Sequence, residues 1–193
     1  MNDHSLSSGN EELVADMEDF WVFGYGSLMW RPGFEFVESQ IAVTHGFRRA
    51  LCIRSWVHRG TRENPGLVLG LDRGGSCKGL AFRVSPEKRD DVLAYLRARE
   101  LVTNVYLERT VPLKLADGRR VRGVTYVADT AHEQFQRTSS PEDAAAVVSR
   151  AHGESGDNVE YVKNTVEHLR HLGIYDHCLE GILRHIQPAE GVR

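Results

Sequence analysis

The chain has 193 residues, 41% of them hydrophobic, and a formal net charge of −3. That length supports one domain with a proper core, and the charge offers no basic surplus to attract a nucleic acid or an anionic membrane. No apolar run approaches the roughly 20 residues of a membrane-spanning helix, and Met1 to Asp19 lacks the apolar segment of a secretory signal, so a soluble cytoplasmic protein is expected.

In chain order, residues 1–18 read as a polar tail, 19–188 as a single domain and 189–193 as a short second tail. Phe20 to Phe23 is an aromatic and β-branched run that predicts a buried strand, ending in Gly24-Tyr25-Gly26-Ser27. Strands are then predicted at Ile41–His45, Phe47–Arg54, Leu67–Leu71 and Cys77–Val84, with glycines 46, 60, 66, 70, 74 and 75 as turns or bulges. Ser85-Pro86-Glu87 has the chemistry of a helix start, and Val92, Leu93, Tyr95 and Leu96 give that helix an apolar face running to Glu100. Asp117-Gly118 predicts a hairpin between strands at 105–115 and 120–127.

The last third reads as helical. Ser140-Pro141-Glu142-Asp143 opens an Ala/Val run, and Asp157 with Glu160 resembles a capping box ahead of Val159, Val162, Val166 and Leu169. Gly173 is a stop, and Asp176 starts a last helix that turns Leu179, Ile182, Leu183 and Ile186 inward. Strands first and helices last predict an α+β fold with a curved or closed sheet.

The chemistry-bearing residues are few. Cys52, Cys77 and Cys178 show no CxxC spacing, and His168 with His171 share a helical face without an HExxH motif or a nearby carboxylate or Cys ligand at a familiar spacing, so no metal is expected. Phe23 to Leu28 follows a buried strand with two glycines around a tyrosine, so its backbone N–H groups can approach a carboxylate or oxyanion closely, although the same glycines serve an ordinary turn. It is no dinucleotide fingerprint, since the third glycine is missing. Glu100 ends a helix before Leu101 and Val102, where burial would make it a base near neutral pH; the alternative is a surface glutamate paired with Arg97 or Arg99. There is no GxSxG nucleophile. One carboxylate beside a donor loop suits proton transfer with oxyanion stabilisation, provided the substrate brings its own nucleophile.

The run from Trp21 to Trp30 (WVFGYGSLMW), Phe47-Arg48-Arg49, His58-Arg59-Gly60 with Pro65-Gly66, Ala94 to Glu100 with Tyr106, and Gly153 to Tyr161 (GESGDNVEY) occur in an order that resembles the ChaC-type γ-glutamylcyclotransferases. The resemblance spans roughly residues 20–185. It implies a small closed or nearly closed β-barrel with flanking helices, and cleavage of glutathione to 5-oxoproline and cysteinylglycine without cofactor or water. It further implies Glu100 as the catalytic proton acceptor, with Val22, Phe23, Gly24, Tyr25, Gly26, Ser27, Leu28 and Tyr106 around the γ-glutamyl group. Arg48, Arg49, His58, Asn158 and Tyr161 also match, as pocket or scaffold residues. Many relatives carry Gly-Gly-Tyr where this chain has Thr103-Asn104-Val105-Tyr106. A cyclotransferase for other γ-glutamyl amines or dipeptides, and a non-catalytic γ-glutamyl-binding module, are the alternatives.

Overall fold

The computed structural model describes residues 20–186, so the expected tails and the outermost domain residues lie outside the described part. Five strands form a closed barrel in the order β1-β3-β2-β4-β5. They are β1 (Phe20–Gly24), β2 (Glu38–Ser55), β3 (Gly66–Val84), β4 (Tyr106–Leu115) and β5 (Arg120–Ala128). The pairing is antiparallel except at the closure, where β1 runs parallel to β5 through Trp21 opposite Gly123 and Val22 opposite Val124. A strand whose residues alternate between a core face and a second covered face reads as continuously apolar, which is why all of β1 is buried.

The four strands expected between Ile41 and Val84 are two long ones. Gly46 shifts the register between His45 and Phe47, opposite Gly74 and Gly75, and a second shift falls at Cys52. The glycines bend a continuous β2–β3 ribbon instead of ending its strands, as bulges do in small barrels.

Around the barrel lie α1 (Arg89–Glu100), α2 (Pro141–Arg150), α3 (Asn158–His171) and α4 (His177–His185). Phe20 and Val22 pack with Phe82, Val84 and the α1 residues Val92 and Leu96, so α1 covers one side of β1 and β3. Trp21 and Phe23 join the larger cluster, which continues through Leu51, Leu69 and Leu113 to Val148, Val166 and Leu179 on the other helices. Tyr95 departs from the expected apolar face of α1: it is 36% exposed and its hydroxyl meets Arg99.

Two of the expected helix caps form as hydrogen bonds. Ser140 Oγ accepts from the Asp143 N–H at 3.1 Å, and Asp176 from the Leu179 N–H at 3.1 Å. Asp157 occupies the cap position of α3 without bonding its N–H groups, because its carboxylate meets His152 Nδ1 at 2.7 Å instead. Ser85 precedes a short 3-10 turn, Pro86–Lys88, and its side chain makes no cap.

The GESGDNVEY segment, with His152 before it, supplies a small hairpin, β6 (His152–Gly153) and β7 (Gly156–Asp157), that lies on the loop after β2. Glu154 and Ser155 donate their N–H groups to the Val57 and His58 carbonyls at 2.8 and 2.9 Å. A side chain at Gly60 would meet the Gly66 nitrogen at 2.1 Å, so the two loop ends can cross only as glycines. Asn158, fully buried, then brackets Leu67 by accepting from its N–H at 2.7 Å and donating to its carbonyl at 2.8 Å.

Candidate active site

The C-terminal end of β1 runs into Tyr25-Gly26 and a 3-10 turn, Ser27–Met29. A Cβ on Gly24 would lie 3.1 Å from Leu28 Cβ and 3.3 Å from the Met29 nitrogen, so this glycine lets the turn fold back over the strand end. Among the described residues, the N–H groups of Gly26, Ser27 and Leu28 have no hydrogen-bond partner, as expected for the first residues of a helical turn. Arg49, 5% exposed, grips the loop from the core: its Nε donates to the Tyr25 carbonyl at 2.6 Å.

This loop forms one wall of a cavity of about 90 Å³. Tyr25, Gly26, Ser27 and Leu28 line it together with Glu100 from the end of α1, Tyr106 from the start of β4, Leu69 from β3, Thr125 and Tyr126 from β5, and Tyr161 from α3. Glu100 and the loop, 72 or more positions apart in the chain, therefore share one cavity. Val22, Phe23 and Gly24 do not line it; they are buried in β1 beneath the loop.

The hydroxyl groups fix the frame. Tyr25 donates to the Tyr126 carbonyl at 2.8 Å, Tyr106 donates to the Leu69 carbonyl at 2.7 Å, and Tyr161 accepts the Leu69 N–H at 3.1 Å. Thr125 Oγ1, fully buried, donates to the Phe23 carbonyl at 2.9 Å. Burial, reinforced by the neighbouring Glu100 charge, holds the Tyr25 and Tyr106 phenols well above 10, so both stay protonated near neutral pH. Burial pushes Tyr161 up to about 12.

Among the described residues, Glu100 is the one carboxylate on the wall. Burial raises it above its ordinary 4.5, and the Arg99 charge beside it, with Nε 3.1 Å from Glu100 Oε1, pulls only part of the way back. Arg97 is not its partner, because that guanidinium forks onto Glu108 with two bonds of 2.8 Å. Arg99 also donates from Nη2 to Ser27 Oγ at 2.9 Å and from Nη1 to the Arg31 carbonyl at 2.7 Å, tying the loop to the carboxylate. A carboxylate that is poorly hydrated, near a loop with open N–H donors, can move a proton while the donors take up negative charge on an oxygen.

Thr125 and Tyr126 escape a reading of the sequence, since a strand pattern does not tell which face carries a site. Of the weaker matches, Tyr161 reaches the cavity, whereas Asn158 is scaffold, and His58 lies outside it, exposed, with Nδ1 3.1 Å from Ser155 Oγ. Asn104 has a left-handed φ of 54°, a conformation glycine adopts freely and asparagine tolerates better than most, which explains its place in a stretch where glycines are expected. Among the described residues no group of three or more His, Cys, Asp or Glu could hold a metal ion. His168 stacks on Trp30 at 4.4 Å, and His171 Nδ1 meets the Glu167 carbonyl at 2.8 Å.

The chain is similar to known proteins in sequence and in fold. A family model described as ChaC-like protein matches residues 20–189. A glutathione-specific gamma-glutamylcyclotransferase of Escherichia coli (strain K12) is 36% identical over 163 residues, 84% of this chain and 71% of that one. One of the same name from Schizosaccharomyces pombe is 34% identical over 173 residues, 79% of this chain and 83% of that one. The crystal structure of a γ-glutamyl cyclotransferase specific to glutathione from yeast superposes with a TM-score of 0.73 at 26% identity, covering 88% of this chain and 98% of that one. The chain belongs to the ChaC-like protein family.

Proposed function

We propose that this protein cleaves glutathione to 5-oxoproline and cysteinylglycine, with Glu100 as base and then acid. The observation that carries the reading is Glu100 itself, the single carboxylate of the cavity among the described residues, raised by burial and facing a loop with open N–H donors. Binding alone would not require a desolvated carboxylate there, which counts against a module that only captures γ-glutamyl groups.

The substrate's α-ammonium gives a proton to Glu100, and the freed amine attacks the γ-amide carbonyl carbon, closing a five-membered ring. The tetrahedral oxygen takes its negative charge against the N–H groups of the Gly26 to Leu28 turn. The bond to the cysteinyl nitrogen then breaks as Glu100 returns its proton to that nitrogen; the attacking nitrogen gives up its second proton to the same departing amine, which leaves as an ammonium while the ring nitrogen keeps one hydrogen. Atoms balance without water or cofactor, and no enzyme nucleophile is needed because both reacting groups belong to one molecule that has only to be oriented. The names of the relatives favour glutathione over other γ-glutamyl amides. Cysteines 52, 77 and 178 are all unpaired, which suits a reducing, cytoplasmic setting.

Purified protein incubated with glutathione should release 5-oxoproline and cysteinylglycine in equal amounts. Silence at high enzyme concentration sinks the reading. γ-Glutamyl-alanine assayed alongside should turn over much more slowly, and parity between the two would assign a broader cyclotransferase.

A further inference from the structure

A second cavity, of about 500 Å³, opens between β2, β3, the segment leading into α2 and the start of α4. None of the residues lining it lines the Glu100 cavity. Its floor is apolar, with Leu51, Ile174 and Ile182 buried. Its wall sets Arg48, Arg49, Lys78 and Arg137 against Asp72 and Asp176, four positive charges against two negative.

The surplus is built in. Asp72, whose side chain is 0% exposed, accepts from Arg48 Nη2 at 2.9 Å, from Arg137 Nε and Nη2 at 3.0 and 2.9 Å, and from the Arg73 N–H at 2.8 Å. One carboxylate thus holds two guanidiniums side by side, each side chain 53% exposed. Arg48 Nε and Nη1 and Arg137 Nη1 have no further hydrogen-bond partner among the described residues, and the Arg137 guanidinium lies over the Phe135 ring at 5.2 Å. Two guanidiniums fixed together with donors to spare are complementary to a carboxylate or a phosphate group.

We propose that this cavity is a second binding site, for a small organic anion that places a carboxylate or phosphate against Arg48, Arg137 and Lys78 and an apolar body on the floor. Arg49 links it to the first cavity. Its side chain, 2% exposed, donates from Nη1 to Asp176 at 2.9 Å, from Nη2 to the Lys78 carbonyl at 2.7 Å, and from Nε to the Tyr25 carbonyl at 2.6 Å. An occupant resting on Arg49 therefore bears on the loop that faces Glu100 and shifts the affinity for substrate; this coupling rests on the catalytic reading, whereas the site does not.

Calorimetric titration of the full chain with citrate, and separately with inorganic phosphate, at constant ionic strength tests the site and tells the two anion classes apart. At least one should bind saturably, near one per chain. Lys78→Glu, which leaves the Asp72 cluster intact, should weaken that binding at least tenfold, as should Arg48→Ala with Arg137→Ala. The charge-matched control Arg109→Ala with Arg122→Ala, exposed on β4 and β5, should leave it unchanged. No saturable binding of either anion, or equal weakening in the control, overturns the site. Glutathione kinetics at saturating anion read the coupling: a KM change of several-fold is expected, and an unchanged KM overturns the coupling alone. A protein that binds the anion but never cleaves glutathione counts against the catalytic reading and leaves the site standing.

Discussion

Glu100 and Asp72 each stand on the wall of a cavity and each loses water to burial, yet their acidities move in opposite directions. Burial pushes the Asp72 carboxyl up, but hydrogen bonds from Arg137, Arg48 and the Arg73 N–H outweigh it and leave the group below its ordinary 3.8. Burial pushes Glu100 up as well, and Arg99 alone opposes it, so the group stays above 4.5. A carboxylate saturated by guanidiniums serves as a counter-ion that positions arginines. One left short of partners keeps its appetite for a proton. The partners, more than the size of the cavity, tell the roles apart, since the Glu100 cavity is the smaller of the two.

The sharpest way to break this contrast is to neutralise Glu100. Glu100→Gln preserves shape and removes the base, so kcat/KM for glutathione should fall by about 10²–10⁴-fold, the usual contribution of general acid–base catalysis. Stability should respond with the sign opposite to that of a paired carboxylate. A folded-state value raised above the unfolded one means that the group's stabilising contribution is complete below its ordinary 4.5 and is lost as pH rises through the raised value. The variant should therefore melt no lower than wild type at pH 7, and any gain should vanish under acid. Near wild-type turnover would remove Glu100 from the mechanism.

Asp72→Asn should show the reverse pattern. It removes a fully buried charge that accepts four hydrogen bonds, so urea unfolding at pH 7 should report a loss of about 2–3 kcal/mol. A lowered folded-state value stabilises above the ordinary 3.8 and ceases to do so as pH falls through it, so the gap to wild type should narrow in acid below that point. Glutathione kcat should stay within a few-fold of wild type. Collapse of activity with stability intact would erase the distinction between the two carboxylates.

Much of the fold is legible in the amino-acid sequence. The strand ending in Phe23, the hairpin at Asp117-Gly118, the Ser140 and Asp176 caps and the inward faces of α3 and α4 follow from local chemistry, which neighbouring residues carry directly. The union of four short strands into two long ones is hidden because Gly46, Gly74 and Gly75 signal a break in one context and a bulge in another; only pairing decides. The meeting of Glu100 with Tyr25 to Leu28 depends on β1 closing the barrel beside β5 while α1 packs on its outer side, a long-range arrangement that no local pattern encodes. Family resemblance implies that juxtaposition and marks Arg48, whereas Thr125, Tyr126, Asp72 and Arg137 have neither a motif nor a spacing to announce them.

The smallest expected effect tests how far Glu100 is left unpaired. Arg99 is its one charged neighbour, and the same guanidinium holds Ser27 Oγ and the Arg31 carbonyl. Arg99→Gln deletes the charge and keeps an amide that can still reach the loop. The carboxyl, now opposed only by burial, should become a stronger proton acceptor, so the acid limb of kcat/KM should move to higher pH. At pH 7 the loss should stay under about tenfold, within what one modest interaction contributes, while at the alkaline plateau the two enzymes should converge. A limb that does not move would mean that the titrating group does not sense the charge 3.1 Å from Glu100 Oε1, and the base would have to be sought elsewhere. A limb that moves up while Asp72→Asn leaves it in place would tie the pH profile to Glu100 and separate the two carboxylates within one measurement.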